Sequence, residues 1–151
     1  MIRKIVVVLA ALLGAAQFVR PGKNLSAGPA PNELNAKHPV PARVLAVLHR
    51  ACYDCHSNQT RYPWYAEVQP VGWWLNWHVN EGKQHLNFSE FGAYPARRAG
   101  KKLDQVIDEV EQHDMPLPSY AWVHTEARLT PAEIKLIVEW AEDLRDEVSP
   151  P

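Results

Sequence analysis

The chain is poor in cysteine, methionine and glycine, and it has no excess of charge of either sign. Two cysteines stand in 151 residues. A second C-x-x-C pair is therefore absent, and with it the four-ligand set that a structural zinc site normally wants. Sixteen basic residues face 17 acidic ones. Residues 1–20 hold Arg3, Lys4 and Arg20 and no acid, so the remainder is mildly acidic. That balance excludes the basic footprint expected of a nucleic-acid binder. No strand-like alternation and no internal repeat is visible, which leaves an all-α fold. Thirteen prolines against seven glycines point to short helices joined by stiff connections.

No apolar run reaches the ~20 residues that span a bilayer comfortably. The one that comes nearest extends from Ile5 to Val19, behind Arg3 and Lys4. Its length is that of a signal-peptide core. Gly14-Ala15-Ala16 offers small residues for cleavage, whereas Arg20 and Lys23 close behind it favour an uncleaved anchor. Either reading keeps Arg3 and Lys4 inside and exports the rest to the periplasmic side of a bacterial inner membrane. A buried N-terminal helix is the alternative. The expected organisation is thus a signal peptide or anchor over 1–20, a linker over 21–41 and one helical domain over 42–148. The linker reading rests on Pro21, Gly22, Pro29, Pro31, Pro39 and Pro41.

Helical periodicity begins at Ala42, with Val44, Leu45 and Leu48 leading to Cys52. A second helix is expected from Pro70 through Trp73, Trp74 and Trp77, with Gly82 as its stop. A third covers roughly Ala96 to Gln112, with Leu103, Val106, Ile107 and Val110 on one face. His113 to Ala127 reads as a loop, because Met115-Pro116-Leu117-Pro118 places two prolines close together. The last helix has the clearest start: Thr130 as cap, Pro131 in the first turn and Glu133 completing a capping box.

What the chain does have is Cys52-Tyr53-Asp54-Cys55-His56. A C-x-x-C-H sequence reads as covalent haem attachment. Two thiols on one turn reach the two vinyl groups on one porphyrin edge, and the next residue brings an imidazole under the iron. A thioredoxin-like dithiol would use C-x-x-C without needing His56, and no βαβ pattern surrounds it. The cofactor expected is therefore one haem c, with His56 as proximal ligand.

Met115 is the first candidate for the other iron face, since it sits in a proline-stiffened loop and the only other methionine is Met1. Met/His ligation raises the potential and favours electron transfer. His78 is the alternative distal ligand, on the Trp-rich helix. An open sixth position would permit binding of small gases or peroxide. Trp64, Trp74 and Trp77 are candidate walls of a haem crevice, because rings exclude water. Arg61, Lys83 and Arg97 are candidate partners for haem propionates. No residue is assigned a catalytic role.

Cys52 to His56, Pro63-Trp64-Tyr65, Trp77-His78-Val79-x-Glu81-Gly82, Leu86-Asn87-Phe88-Ser89-Glu90 and Met115-Pro116-Leu117-Pro118-x-Tyr120 together resemble the bacterial haem-binding domain family of small exported monohaem proteins. The resemblance covers roughly Val40 to Leu144. The order of haem motif, methionine-proline loop and C-terminal helix is also similar to a class I cytochrome c, with a Trp-rich insertion between. It implies Cys52, Cys55 and His56 as attachment, Met115 as distal ligand, and a small cytochrome c-like helical domain around one haem. The function expected is a single-electron carrier with an unidentified redox protein as partner and no nucleic acid. A haem-based gas or redox sensor, or a peroxidase-like module, is the rival.

Overall fold

The computed structural model describes residues 1–26 and 30–149. They are all-helical, with one isolated antiparallel bridge, Leu25 to Gln59. Eight α-helices are seen among them: α1 (Ile2–Ala16), α2 (Leu34–Lys37), α3 (Ala42–Ala51), α4 (Tyr53–His56), α5 (Val71–His85), α6 (Ala96–Glu111), α7 (Pro118–Val123) and α8 (Pro131–Val148). Short 3-10 turns cover Trp64–Glu67, Phe88–Ala93 and Thr125–Ala127.

The core follows from the apolar spacing. α6 buries Leu103, Ile107 and Val110 along one face, and α8 buries Ile137, Trp140, Ala141 and Leu144. These two helices form the most extensive helix pair. Val44, Val47 and Leu48 of α3 join them, as do Phe88 and Phe91 of the 3-10 turn. α8 starts as its sequence requires: the Thr130 side chain accepts from the Glu133 N–H, and Glu133 Oε2 accepts from the Thr130 N–H at 2.9 Å.

Three expectations are corrected. The stretch read as a linker is largely built onto the domain. Asn24 donates from its side chain to the Ser57 carbonyl at 2.8 Å and to Thr60 Oγ1 at 2.9 Å. Leu34 of α2 is fully buried in the core, and the Gly92 N–H donates to the Asn32 carbonyl at 2.8 Å. Leu34 is one apolar residue among polar ones, so periodicity could not reveal it. Pro29, quoted for the linker, lies outside the described residues.

Gly82 does not stop α5, which runs on to His85. A Cβ at Gly82 would stand 2.8 Å from the Cys55 carbonyl oxygen and 3.2 Å from Cys55 Cβ. The glycine is there so that α5 can lie against α4, not to end the helix. The loop expected from His113 to Ala127 contains α7, with Pro118 at its first position. A proline that would break a helix interior suits its first turn, where the missing N–H has no partner to lose.

α1 is a 15-residue helix that buries none of its residues. At 1.5 Å per residue it is about 22 Å long. No helix among the described residues is long and apolar enough to cross a membrane. Beyond its end the chain is tied to the domain. Gln17 Oε1 accepts from the Gln69 N–H at 2.9 Å, Trp73 Nε1 donates to the Val19 carbonyl at 2.7 Å, and Arg20 pairs with Glu67.

Candidate functional site

The centre of interest is the single turn that carries the two cysteines. α3 breaks at Cys52, whose φ of −123° leaves the helical region, and α4 restarts at Tyr53. The turn is closed by Cys55 N–H and His56 N–H, which donate to the Cys52 carbonyl at 3.2 and 3.0 Å. Residues three and four apart share a helix face. Cys52, Cys55 and His56 therefore stand together, and Tyr53 and Asp54 turn the other way. Tyr53 goes into the core, stacked on Phe88 with ring centroids 5.1 Å apart.

Both thiols are unpaired and half-buried. Burial pushes Cys52 up to about 12 and Cys55 up to about 11. Neither resembles the low-pKa thiolate of a disulfide-exchange motif.

His56 has a determined tautomer. Its Nδ1 lies 3.0 Å from the Leu86 carbonyl. A carbonyl only accepts, so Nδ1 carries the proton. Burial lowers the pKa of the ring, so the imidazole stays neutral near pH 7. Nε2 is left with a free lone pair, which is the form a metal-ligating histidine takes. The acceptor comes from the residue just after α5, and Gly82 sets how closely α5 approaches.

Asp54 is buried and saturated. Its carboxylate accepts from the Arg61 backbone N–H at 3.1 Å, from Arg61 Nε at 3.0 Å, from Arg61 Nη2 at 3.1 Å and from the Tyr120 hydroxyl at 2.7 Å. The Tyr120 ring stacks on His124 at 4.5 Å, and His124 Nε2 lies 2.6 Å from the Tyr65 hydroxyl. Sequence reasoning did not single out Asp54 or His124. His124 is half-buried. Tyr65 and Tyr120 stood in the resemblance only as the ends of motifs. Nothing local marks these residues, since each gains its role from a partner far along the chain.

Arg61, a candidate for haem propionates, is instead committed to Asp54. Lys83 Nζ donates to Asn24 Oδ1 at 2.6 Å, and Arg97 is exposed in the first turn of α6. Trp64 is 80% exposed, and Trp77 is 57% exposed, so neither is walled in by the polypeptide. Trp74 and Trp77 flank the His78 ring, with centroids at 4.1 and 4.6 Å. His78 Nδ1 sits 2.9 Å from the Trp74 carbonyl, so its Nε2 is free as well. It lies one turn before Gly82, on the same face of α5. Met115 is half-buried between α6 and α7. The N–H groups of Asp114 and Met115 both donate to the Glu109 carbonyl, at 2.9 and 3.1 Å. His113, at φ 61°, makes the left-handed turn that ends α6.

A cleft of about 550 Å³ lies on the opposite side of α4, lined by Tyr53, Asp54, Asn58, Arg61 and Glu90 among others. It includes none of Cys52, Cys55 and His56.

The donor set fits a haem: a neutral imidazole with Nε2 free, beside two protonated thiols on one turn. Fold and site thus define a small helical haem protein. The chain belongs to the Haem-binding domain family, whose model matches residues 11–143. The match reaches back over 21–41, whose described residues Asn24 and Leu34 pack on the domain. No curated protein and no solved structure matches the chain.

Proposed function

We propose that this haem-binding protein is a monohaem c-type cytochrome that passes single electrons on the periplasmic side of a bacterial inner membrane. Cys52 and Cys55 would hold the haem as thioethers, His56 would ligate one face of the iron, and Met115 the other. The observation that carries the reading is the His56 tautomer: a half-buried, neutral imidazole whose Nδ1–H is spent on the Leu86 carbonyl, directly after two thiols on the same turn.

The haem, when bound, supplies a one-electron ferric/ferrous couple. The chain supplies the rest. Leu86 orients the imidazole and raises its basicity by accepting from Nδ1–H. Phe88, fully buried and edge-on to His56 at 6.5 Å, keeps water from that side. Met115 sits in a loop pinned at both ends, so its thioether loses little entropy when held in place. A ligand pair that stays bound through the redox cycle keeps reorganisation small. The exposed apolar side chains of α1, behind Arg3 and Lys4, support its role as a cleavable or lipid-facing segment.

His78 supports a second reading. Its free Nε2 and its seat between two indoles suit a distal ligand or base, which would make the protein a gas sensor or peroxidase-like module.

Visible spectra of the protein matured in a host that assembles cytochromes c test both. Haem that stays attached in denaturing gels, with a sulfur-to-iron charge-transfer band in the oxidised state that Met115→Ala removes, is the expected result. Colourless protein with the bare polypeptide mass refutes haem attachment. A band-free spectrum altered by His78→Ala favours the second reading.

A further inference from the structure

We propose that Asp54 and Tyr120 form a latch that holds the Met115 loop closed over the haem iron, so that one of the two residues between the cysteines positions the distal ligand. The inference rests on the His/Met reading above. Its basis is how α7 is attached. That helix buries no residue, so apolar packing does not hold it. It is fastened by polar contacts, and the Tyr120 hydroxyl to Asp54 Oδ2, at 2.7 Å, is the one that reaches the cysteine turn itself. Tyr120 comes five residues after Met115. An extended chain covers at most ~3.6 Å per residue, so fastening Tyr120 confines Met115 to a short arc. The other end of that arc is fixed on α6 through the Glu109 carbonyl.

The acceptor is built for the task. Asp54 is buried on α4, one residue from Cys55. Arg61 takes both carboxylate oxygens in a fork, which compensates the buried charge and sets the direction of Oδ2 toward Tyr120. The hydroxyl therefore donates to a charged acceptor of fixed orientation, a stronger bond than one between neutral groups. Tyr65 and His124 brace the Tyr120 ring from behind without touching the cysteine turn. The latch thus joins the two halves of the candidate ligand set, which lie about 60 residues apart in sequence, through a single hydroxyl.

The test uses the full-length haem-loaded protein. Tyr120→Phe keeps the ring and its stacking and removes only the hydroxyl. Two measurements are made: the sulfur-to-iron band of the oxidised protein, and the rate of carbon monoxide binding to the reduced protein. Wild type should show the band and bind carbon monoxide slowly. Tyr120→Phe should bind it about tenfold faster, since losing a hydrogen bond to a charged group opens the loop by about that factor, with haem content unchanged. Asp54→Asn, which weakens the same acceptor, should accelerate binding too. The double variant should be no faster than the faster single one, because both break the same bond. A wild-type spectrum without the band overturns the His/Met reading and the latch with it. A wild-type band together with an unchanged rate in Tyr120→Phe overturns the latch alone.

Discussion

Replacing Gly82 by alanine sets two opposed effects against each other. In a helix interior, alanine is favoured over glycine by about 1 kcal/mol, so α5 taken alone predicts a more stable protein. The packing predicts the reverse. The added methyl would stand 2.8 Å from the Cys55 carbonyl oxygen, whereas an unstrained C···O contact is about 3.3 Å or more. α5 and α4 must then separate by about half an ångström. The atom in the way is backbone, so no side chain can swing aside. Overpacking of this kind costs typically 1–3 kcal/mol. Net of the propensity gain, the loss should be about 0–2 kcal/mol, or a Tm drop of up to roughly 8 °C at the 2–4 °C per kcal/mol of chains this size. The displacement also pulls Leu86, one turn further on, away from His56. Their 3.0 Å hydrogen bond weakens quickly with stretching. Thermal melts of the haem-loaded protein, with electron paramagnetic resonance of the ferric state, measure both consequences. A variant that melts higher than wild type, with an unchanged ferric spectrum, would refute the close α4–α5 contact.

Two further outcomes follow from the core and from the start of α8. Phe88→Ala should cost about 3–5 kcal/mol in denaturant unfolding, the range for emptying a fully buried aromatic site, since Phe88 stacks on Tyr53 and meets His56 edge-on. A loss below 1 kcal/mol would mean that the site collapses freely. The Glu133 carboxyl is held below its usual range, first by the Thr130 backbone N–H and then by Arg50. Its folded pKa thus lies below the unfolded one, so its contribution is present above the unfolded value and is lost as pH falls through the folded one. Glu133→Gln should lower Tm at neutral pH, and the gap to wild type should narrow under acid conditions. A gap that stays constant from pH 7 to pH 3 would contradict this.

Several features were legible because they are local. The C-x-x-C-H turn needs only its own spacing to put two thiols and an imidazole on one face. The capping box of α8 is spelled out in Thr130, Pro131 and Glu133. The apolar faces of α6 and α8 repeat at the helical period, so their burial could be read directly. What was misread depended on a distant partner. Gly82 carries the letter of a helix stop, yet its meaning comes from Cys55, 27 residues earlier. Pro118 looked like a breaker and became the first residue of α7. Leu34 carried no periodic signal and is among the most buried residues in the chain.

The sequence by itself determined the helical class, the cysteine turn and the family, since these depend on residue type and on spacings within a turn or two. Tertiary structure decided the rest: which nitrogen of His56 is free, where Arg61 goes, and how Tyr120 reaches Asp54. Those choices are made by backbone carbonyls and buried charges brought together across the fold. A hydrogen bond depends on distance and angle in space, and a linear pattern records neither.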